Sequence, residues 1–273
     1  MLRARTLISR DGFELVDVAC RHAAGPGPEA ELSVAHAIVF VRRGCFVRSA
    51  DGQDALLDPT VAYCMNPGQE QRYDHPHTGG DDCTALFLAP AVIASVGGGD
   101  PTLPSGPLHT TSRIDLTHRL LLGAGHRRSN DHEAVEAAIG LLALSLEQAD
   151  ARRVDSGRPG GVRARRAIVD GVRAALAEDP DRSQLELARA MSVSPHHLSR
   201  VFRSLTGRTI SRHRVALRVR AALERLAAGE QNLARLAAET GFADQSHLCR
   251  LVRQETGSTP SALRAALARG GSI

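Results

Sequence analysis

Over residues 1 to about 110 the apolar positions come in short runs, AIVFVRRGCFVRS, VAYCMNP and CTALFLAP, separated by Gly, Pro and Asp. β-prone runs broken at this rhythm predict a β-rich sandwich or barrel. From Asp115 the apolar spacing changes to three and four residues. One helix is predicted near LTHRLLLGAGHRR and another from Asp131 to Glu147, with Val135, Ile139, Leu142 and Leu146 as its apolar stripe. Those two helices can pack on their own β-rich domain or form the interface of a homodimer, and both readings stay open. The segment DARRVDSGRPGGV, residues 150–162, is polar and Gly-rich, which predicts a flexible linker. Beyond it the pattern is helical throughout. The expected organisation is a domain over 1–149, a linker over 150–162 and an all-α domain over 163–270.

Within the last third, SQLELARAMSVSPHHLSRVFRSLTG predicts a helix, a tight turn and a second helix. Leu185, Leu187 and Ala188 are its first apolar face, with Ala190, Met191 and Val193 around the turn. Ser194 suits an N-cap and Pro195 the first helical position, where its missing N–H is not needed. Leu198, Val201, Phe202 and Leu205 then line the inner face. His196, Ser199, Arg200 and Arg203 fall on the outer face, and Gly207 ends the helix. A similar unit, NLARLAAETGFADQSHLCRLVRQETG, recurs about fifty residues later. There Leu233, Leu236 and Ala237 form the first helix, Gly241 makes the turn, and Leu248, Leu251 and Val252 anchor the second helix. Gln245, Ser246, His247, Arg250 and Arg253 face outward. The repeat places Arg200 over Arg250 and Arg203 over Arg253.

Two helix-turn-helix units, about 182–206 and 232–256, suit double-stranded DNA for a geometric reason. A helix fits the major groove, and Arg or Gln on its exposed side can make paired hydrogen bonds to guanine or adenine edges. Between the units Ile210 to Ala228 reads as one helix, which at roughly 1.5 Å per residue spans close to 30 Å. Successive major-groove faces lie roughly 34 Å apart, so one chain can reach two of them.

Charge agrees with a polyanion-binding C-terminal part. From Arg163 onward nineteen Arg face ten Asp plus Glu, whereas residues 1 to 162 carry a net −5. All 34 basic residues are Arg, and an Arg-only, Ala-rich chain reflects GC-rich coding more than function. Five widely spaced Cys without a CxxC pair give neither a disulfide framework nor a zinc ribbon. A reduced cytoplasmic setting near the nucleoid is expected. No apolar stretch approaches the roughly 18 to 20 residues that span a bilayer, so no membrane partner is expected.

The segment GFADQSHLCRLVRQETGSTPSALR carries G-F, D-Q-S, Arg, T-G and T-P at the spacing of one signature, and LSRVFRSLTG fits the same mould. On these residues the chain resembles the AraC/XylS family of transcription regulators over roughly residues 163 to 268. The resemblance implies base reading by His196, Ser199 and Arg200 in the first unit and by Gln245, Ser246, His247 and Arg250 in the second. It also implies promoter DNA and RNA polymerase as partners, with activation as the usual mode. Val252 and Leu263 stand where the family commonly has aromatics, which is expected to loosen the second unit's core.

Segment NPGQEQRYDHPHTGGDDCTALFLAP further resembles the small cupin-like barrels that such proteins carry as effector domains, each able to enclose one small ligand. The fold expected is therefore α+β: a cupin-like barrel or sandwich, two helices, then the two helix-turn-helix units on a linker helix. His75 and His77 form an HxH pair whose imidazoles would share one side of a regular strand. Pro76 breaks that strand, and Gly79, Gly80, Asp81 and Asp82 replace the Glu of a metal-binding cupin. His75 and His77 are accordingly candidates for an organic effector pocket, with no metal, no cofactor and no catalytic residue expected. A metal-dependent cupin enzyme with an accessory DNA-binding tail is the alternative, and it lacks a third ligand.

Overall fold

In the computed structural model, which describes residues 2–21, 24–26, 29–127, 131–153 and 162–269, the β-prone runs form two antiparallel sheets. The strands are β1 (Leu2–Arg10), β2 (Phe13–Cys20), β3 (Gly25–Pro26), β4 (Glu31–Leu32), β5 (His36–Arg43) and β6 (Phe46–Ala50). They continue as β7 (Gln53–Leu57), β8 (Val61–Met65), β9 (Glu70–His75), β10 (Asp81–Leu88) and β11 (Pro107–His109). One sheet runs β1-β2-β10-β5-β8-β11. The other runs β3-β9-β6-β7, with β4 also on β9.

Alternation along β10 sorts two cores. Cys83 and Ala85 face the other sheet and pack with its Phe46 and Leu57 and with Val39 and Tyr63 of their own sheet. Leu86 and Leu88 point the opposite way, under α1 (Pro90–Val96), α2 (Ser112–Arg127) and α3 (Asp131–Arg153). Phe46, Tyr63 and Tyr73 pack ring against ring between the sheets, with centroids 5.8 to 6.3 Å apart. Aromatic contact at this range fills the space around these three rings.

The stripe assigned to α3 is rotated in the structure. Ala134, Ala138, Leu141, Leu142 and Ser145 are buried, while Ile139 is 43% exposed. Small Ala side chains let that helix lie close to its neighbours, a signal that large apolar residues alone do not carry. The apolar positions of α2 are used up within the chain: Leu121 and Ala124 pack in the sheet-facing core, and Leu116 and Leu120 pack against the C-terminal helices. The linker expected over 150–162 falls largely outside the described residues, with α3 running to Arg153 and the next helix starting at Val162.

The C-terminal part is α4 (Val162–Glu178), α5 (Gln184–Ala190), α6 (Pro195–Thr206), α7 (Ile210–Ala227), α8 (Leu233–Glu239), α9 (Gln245–Thr256) and α10 (Pro260–Arg269). Val169, Val172 and Leu176 of α4 pack with Leu187, Leu198 and Phe202, and α7 adds Ile210 and Leu217. Farther along α7, Val219, Leu223 and Leu226 join a second core with Leu236, Phe242, Leu248, Val252, Leu263 and Leu267. One helix thus belongs to two cores. Truncating a fully buried aromatic such as Phe202 to Ala would cost about 3 to 5 kcal/mol.

Three expectations change here. Leu185 is 50% exposed and Leu205 39% exposed, so neither seals the first unit's core. Leu205 instead faces a cleft against the N-terminal domain. The second core is not loose, because Val252 and Leu263 are fully buried and Leu116 and Leu120 from α2 complete it.

Candidate nucleic-acid interface

Both outer helices are built to the same plan. Helix α6 starts at Ser194, whose Oγ accepts from the His197 amide at 3.2 Å, and ends at Gly207 with φ 70°. Helix α9 starts at Asp244, whose Oδ1 accepts from the His247 amide at 2.7 Å, and ends at Gly257 with φ 78°. Each cap satisfies one of the amides that the first turn leaves unpaired. The supporting helices are capped as well, α5 by a Ser183/Glu186 capping box and α8 by Asn232.

The turns repeat too. Val193 N–H donates to Ala188 O at 3.0 Å, and Phe242 N–H donates to Ala237 O at 2.9 Å. The left-handed residue of each turn is Ser192 with φ 54° in the first unit and Gly241 with φ 77° in the second. The second turn is one residue longer, Ala243 being the extra residue before the cap.

On α6, His196, Arg200 and Arg203 are exposed, and Arg200 Nη2 lies 3.3 Å from His197 Nδ1. On α9, Gln245, Ser246, Arg250 and Arg253 are exposed. Two residues of the expected set are half-buried and also bond within the protein. Ser199 accepts from Gln184 Nε2 at 2.7 Å, which ties α6 to α5. His247 Nδ1 accepts from the Ala243 amide at 3.2 Å, and its ring stands edge-on to Phe242 at 5.6 Å. The arrangement is therefore two capped helices, each presenting Arg on a solvent face, fixed to one 18-residue helix of roughly 27 Å.

A family model described as a helix-turn-helix domain matches residues 187–266. The HTH-type transcriptional regulator GlxA of Rhizobium meliloti (strain 1021) is 25% identical over 227 residues, 82% of this chain and 64% of that protein. Over this segment the chain is similar to helix-turn-helix regulators. Among solved structures, ToxT from Vibrio cholerae strain SCE256, in a form bound to an unsaturated fatty acid, covers 97% of this chain and 98% of its own at 9% identity and TM-score 0.41. A cupin superfamily protein from Desulfitobacterium hafniense DCB-2 covers 32% of this chain and 77% of its own at 15% identity and TM-score 0.28. The chain spans less than two thirds of the length of the curated relative.

The helices of the C-terminal part are tied to the N-terminal domain by side chains that sequence reasoning passed over. Asp58, fully buried after β7, accepts from Arg173 Nε of α4 at 2.8 Å and from the amide and hydroxyl of Thr60. Arg173 also donates to Leu56 O at 3.1 Å, and His213 of α7 lies 3.6 Å from the same carboxylate. Burial alone would raise Asp58, but Arg173, His213 and the Thr60 hydrogen bond together hold it well below the usual carboxylate range. For His213 burial dominates. With Arg173, Arg220 and Arg208 it outweighs the pull of Asp58, so the ring is neutral and its pKa falls to about 4.

A second tie sits one face farther along α7. Glu224 accepts from Arg42 of β5 at 3.0 Å and from Arg119 of α2, which also reaches Asp115 at 3.4 Å. Arg220 donates to the carbonyl and hydroxyl of Thr110, each at 3.1 Å. Residues 213, 220 and 224 are spaced seven and four apart, which is one helical stripe. The available signal was an Arg and a Glu at positions where that helix should be buried, since a buried charge demands a partner.

The two His of the HxH pair meet different partners. Strand β9 ends at His75, which is buried with Nε2 2.7 Å from Asp81 Oδ1. His77 lies beyond Pro76, half-buried, with Nδ1 3.8 Å from Glu178 of α4. The break expected from proline is what separates them. A concave site lies elsewhere: a cleft of about 450 Å³ between the domains is lined by Arg48, Asp54, Tyr63, Arg166, Asp170 and Arg173, with Leu205 and Thr206 of α6 on its wall. No helix among the described residues is long and apolar enough to cross a membrane.

Proposed function

We propose that this chain is a sequence-specific DNA-binding transcription regulator whose helices α6 and α9 enter successive major-groove segments of a promoter. The observation that carries the reading is the duplicated helix: same cap position, same αL glycine stop, and Arg at matching outward positions on both. Arg200, Arg250, His196, Gln245 and Ser246 read base edges, and Arg203 and Arg253 serve the neighbouring phosphates. Ser199 and His247 hold the reading helices in place.

A small-molecule effector in the interdomain cleft would act on α6 directly, because Leu205 and Thr206 form part of that wall. Activation through RNA polymerase is the mode proposed, with the protein working in the cytoplasm on the nucleoid. The chain is read as a regulator and not an enzyme, since the relative it matches is a transcriptional regulator. A homodimer would have to use surface outside Leu116 and Leu120, for example around exposed Ile139 of α3.

Footprinting with the full-length protein on genomic promoter fragments at physiological ionic strength tests this. A protected stretch of about two helical turns is expected, with affinity at least about a thousandfold above scrambled duplex. Uniform coverage, or no preference over scrambled DNA, would sink the reading.

A further inference from the structure

At one end of the barrel three strand ends converge. Cys20 closes β2, His75 closes β9 and Asp81 opens β10, with Asp81 directly opposite Cys20 in the sheet. One ligand atom from each of these three buried side chains lies within 4.8 Å of the others. Asp81 also accepts from Cys83 Sγ at 3.1 Å, so two thiols and an imidazole gather at one carboxylate.

The convergence is built by two glycines. A Cβ at Gly80, φ +76°, would stand 1.9 Å from the Cys20 carbonyl oxygen. A Cβ at Gly44, φ +78°, would stand 2.4 Å from Gly80 O and 3.0 Å from Asp81 Cα. Only side-chain-free residues let the turn after His77 lie flush on Cys20 and deliver Asp81 beside it.

Thiol, imidazole and carboxylate together match a borderline divalent ion such as zinc, whereas calcium and magnesium favour oxygen alone. Zinc–nitrogen and zinc–sulfur bonds of about 2.0 to 2.3 Å place tetrahedral ligand atoms roughly 3.3 to 3.8 Å apart, so the group need contract by only about 1 Å. We propose that Cys20, His75 and Asp81 bind a zinc-type divalent ion, tying the ends of β2, β9 and β10 together. On binding, the ligating thiol exchanges its S–H bond for a sulfur–metal bond and releases its proton to solvent. His77, the partner implied by the HxH spacing, plays no part in it.

The test is a titration of full-length, chelator-stripped protein with Co²⁺. About one Co²⁺ per chain should bind, with tetrahedral visible bands and a near-ultraviolet thiolate-to-cobalt band, all abolished by an equivalent of Zn²⁺. Cys20→Ser and the near-isosteric Asp81→Asn should each weaken binding by at least about tenfold, and Cys20→Ser should lower the charge-transfer band. Cys64→Ser, which alters a thiol in the helix-facing core, and His77→Ala should leave both unchanged. Circular dichroism confirms which variants are folded, and either of the two ligand variants suffices. Folded protein that shows no charge-transfer band, or a band that persists at full strength in a folded ligand variant, overturns the proposal.

Discussion

The two reading units share their caps, turn hydrogen bonds and outer Arg positions, yet they are supported differently. The first takes its core from α4 and the start of α7, and it meets the N-terminal domain through charge: Arg173 and His213 around Asp58. The second takes its core from the rest of α7 and α10, and α2 of the N-terminal domain reaches into it with Leu116 and Leu120. Similar outward geometry is therefore compatible with a polar tie on one side and, on the other, an apolar brace joined by the Glu224 ion pairs.

Removing the polar tie should produce the largest effect. Asp58→Ala leaves Arg173 buried without its carboxylate and deletes the acceptor of Thr60, a loss of about 3 to 5 kcal/mol in urea unfolding. Footprints should weaken first at the half-site read by α6. Leu116→Ala with Leu120→Ala should cost only about 1 kcal/mol each, because both are half-buried, and should weaken the α9 half-site. A loss confined to the opposite half-site in either variant would break the comparison.

Acid should find the same tie. His213 is neutral in the native protein with a pKa of about 4, against about 6.5 when unfolded. Between those values the unfolded chain binds the extra proton, so stability falls as pH drops from about 6.5 to about 4, by about 2 to 3 kcal/mol in all. His118, also buried and held well below its ordinary value, pulls the same way. The ion pair of Asp58 is lost only at lower pH, below its unfolded value near 3.9. Thermal melts of His213→Gln should show a flatter slope across that window, and an unchanged slope would assign the acid sensitivity elsewhere.

Base reading should be the next effect in size. Arg250→Ala is expected to lower cognate affinity by about 1 to 3 kcal/mol and to relax base choice at one position, with Arg200→Ala doing the same at the other half-site. Binding titrations on cognate and scrambled duplexes measure this. Equal losses on both would demote the Arg in question to a phosphate contact and remove one half of the duplication.

Much of this architecture was legible because it is local. Ser194-Pro195, Gly207 and Gly257 announce helix ends chemically, and the repeat of Leu198/Arg200 by Leu248/Arg250 needs no tertiary information. What escaped was set by packing between distant segments. Asp58 and Arg173 are 115 residues apart, and nothing in either neighbourhood names the other. Likewise Leu205 belongs to an apolar stripe by spacing, and only the apposed N-terminal domain makes it a cleft wall. Pro76 was legible as a strand break, but the partners of His75 and His77, Asp81 and Glu178, come from other segments and were not.

The smallest effect should separate the two turns. Ser192 sits at φ 54° where the other unit has Gly241, and a left-handed non-glycine residue costs roughly 1 to 2 kcal/mol. Ser192→Gly removes that strain but adds the greater chain entropy of glycine, about 0.5 to 1 kcal/mol, so the first unit should gain at most about 1.5 kcal/mol. Gly241→Ala runs the other way. Its Cβ would meet Arg218 Nε at 2.8 Å at φ +77°, and Arg218 is held by Asp181, so about 1 to 2 kcal/mol should be lost. If denaturant midpoints move in the same direction for both substitutions, the two turns are not equivalent, and the duplication extends only to the helices they join.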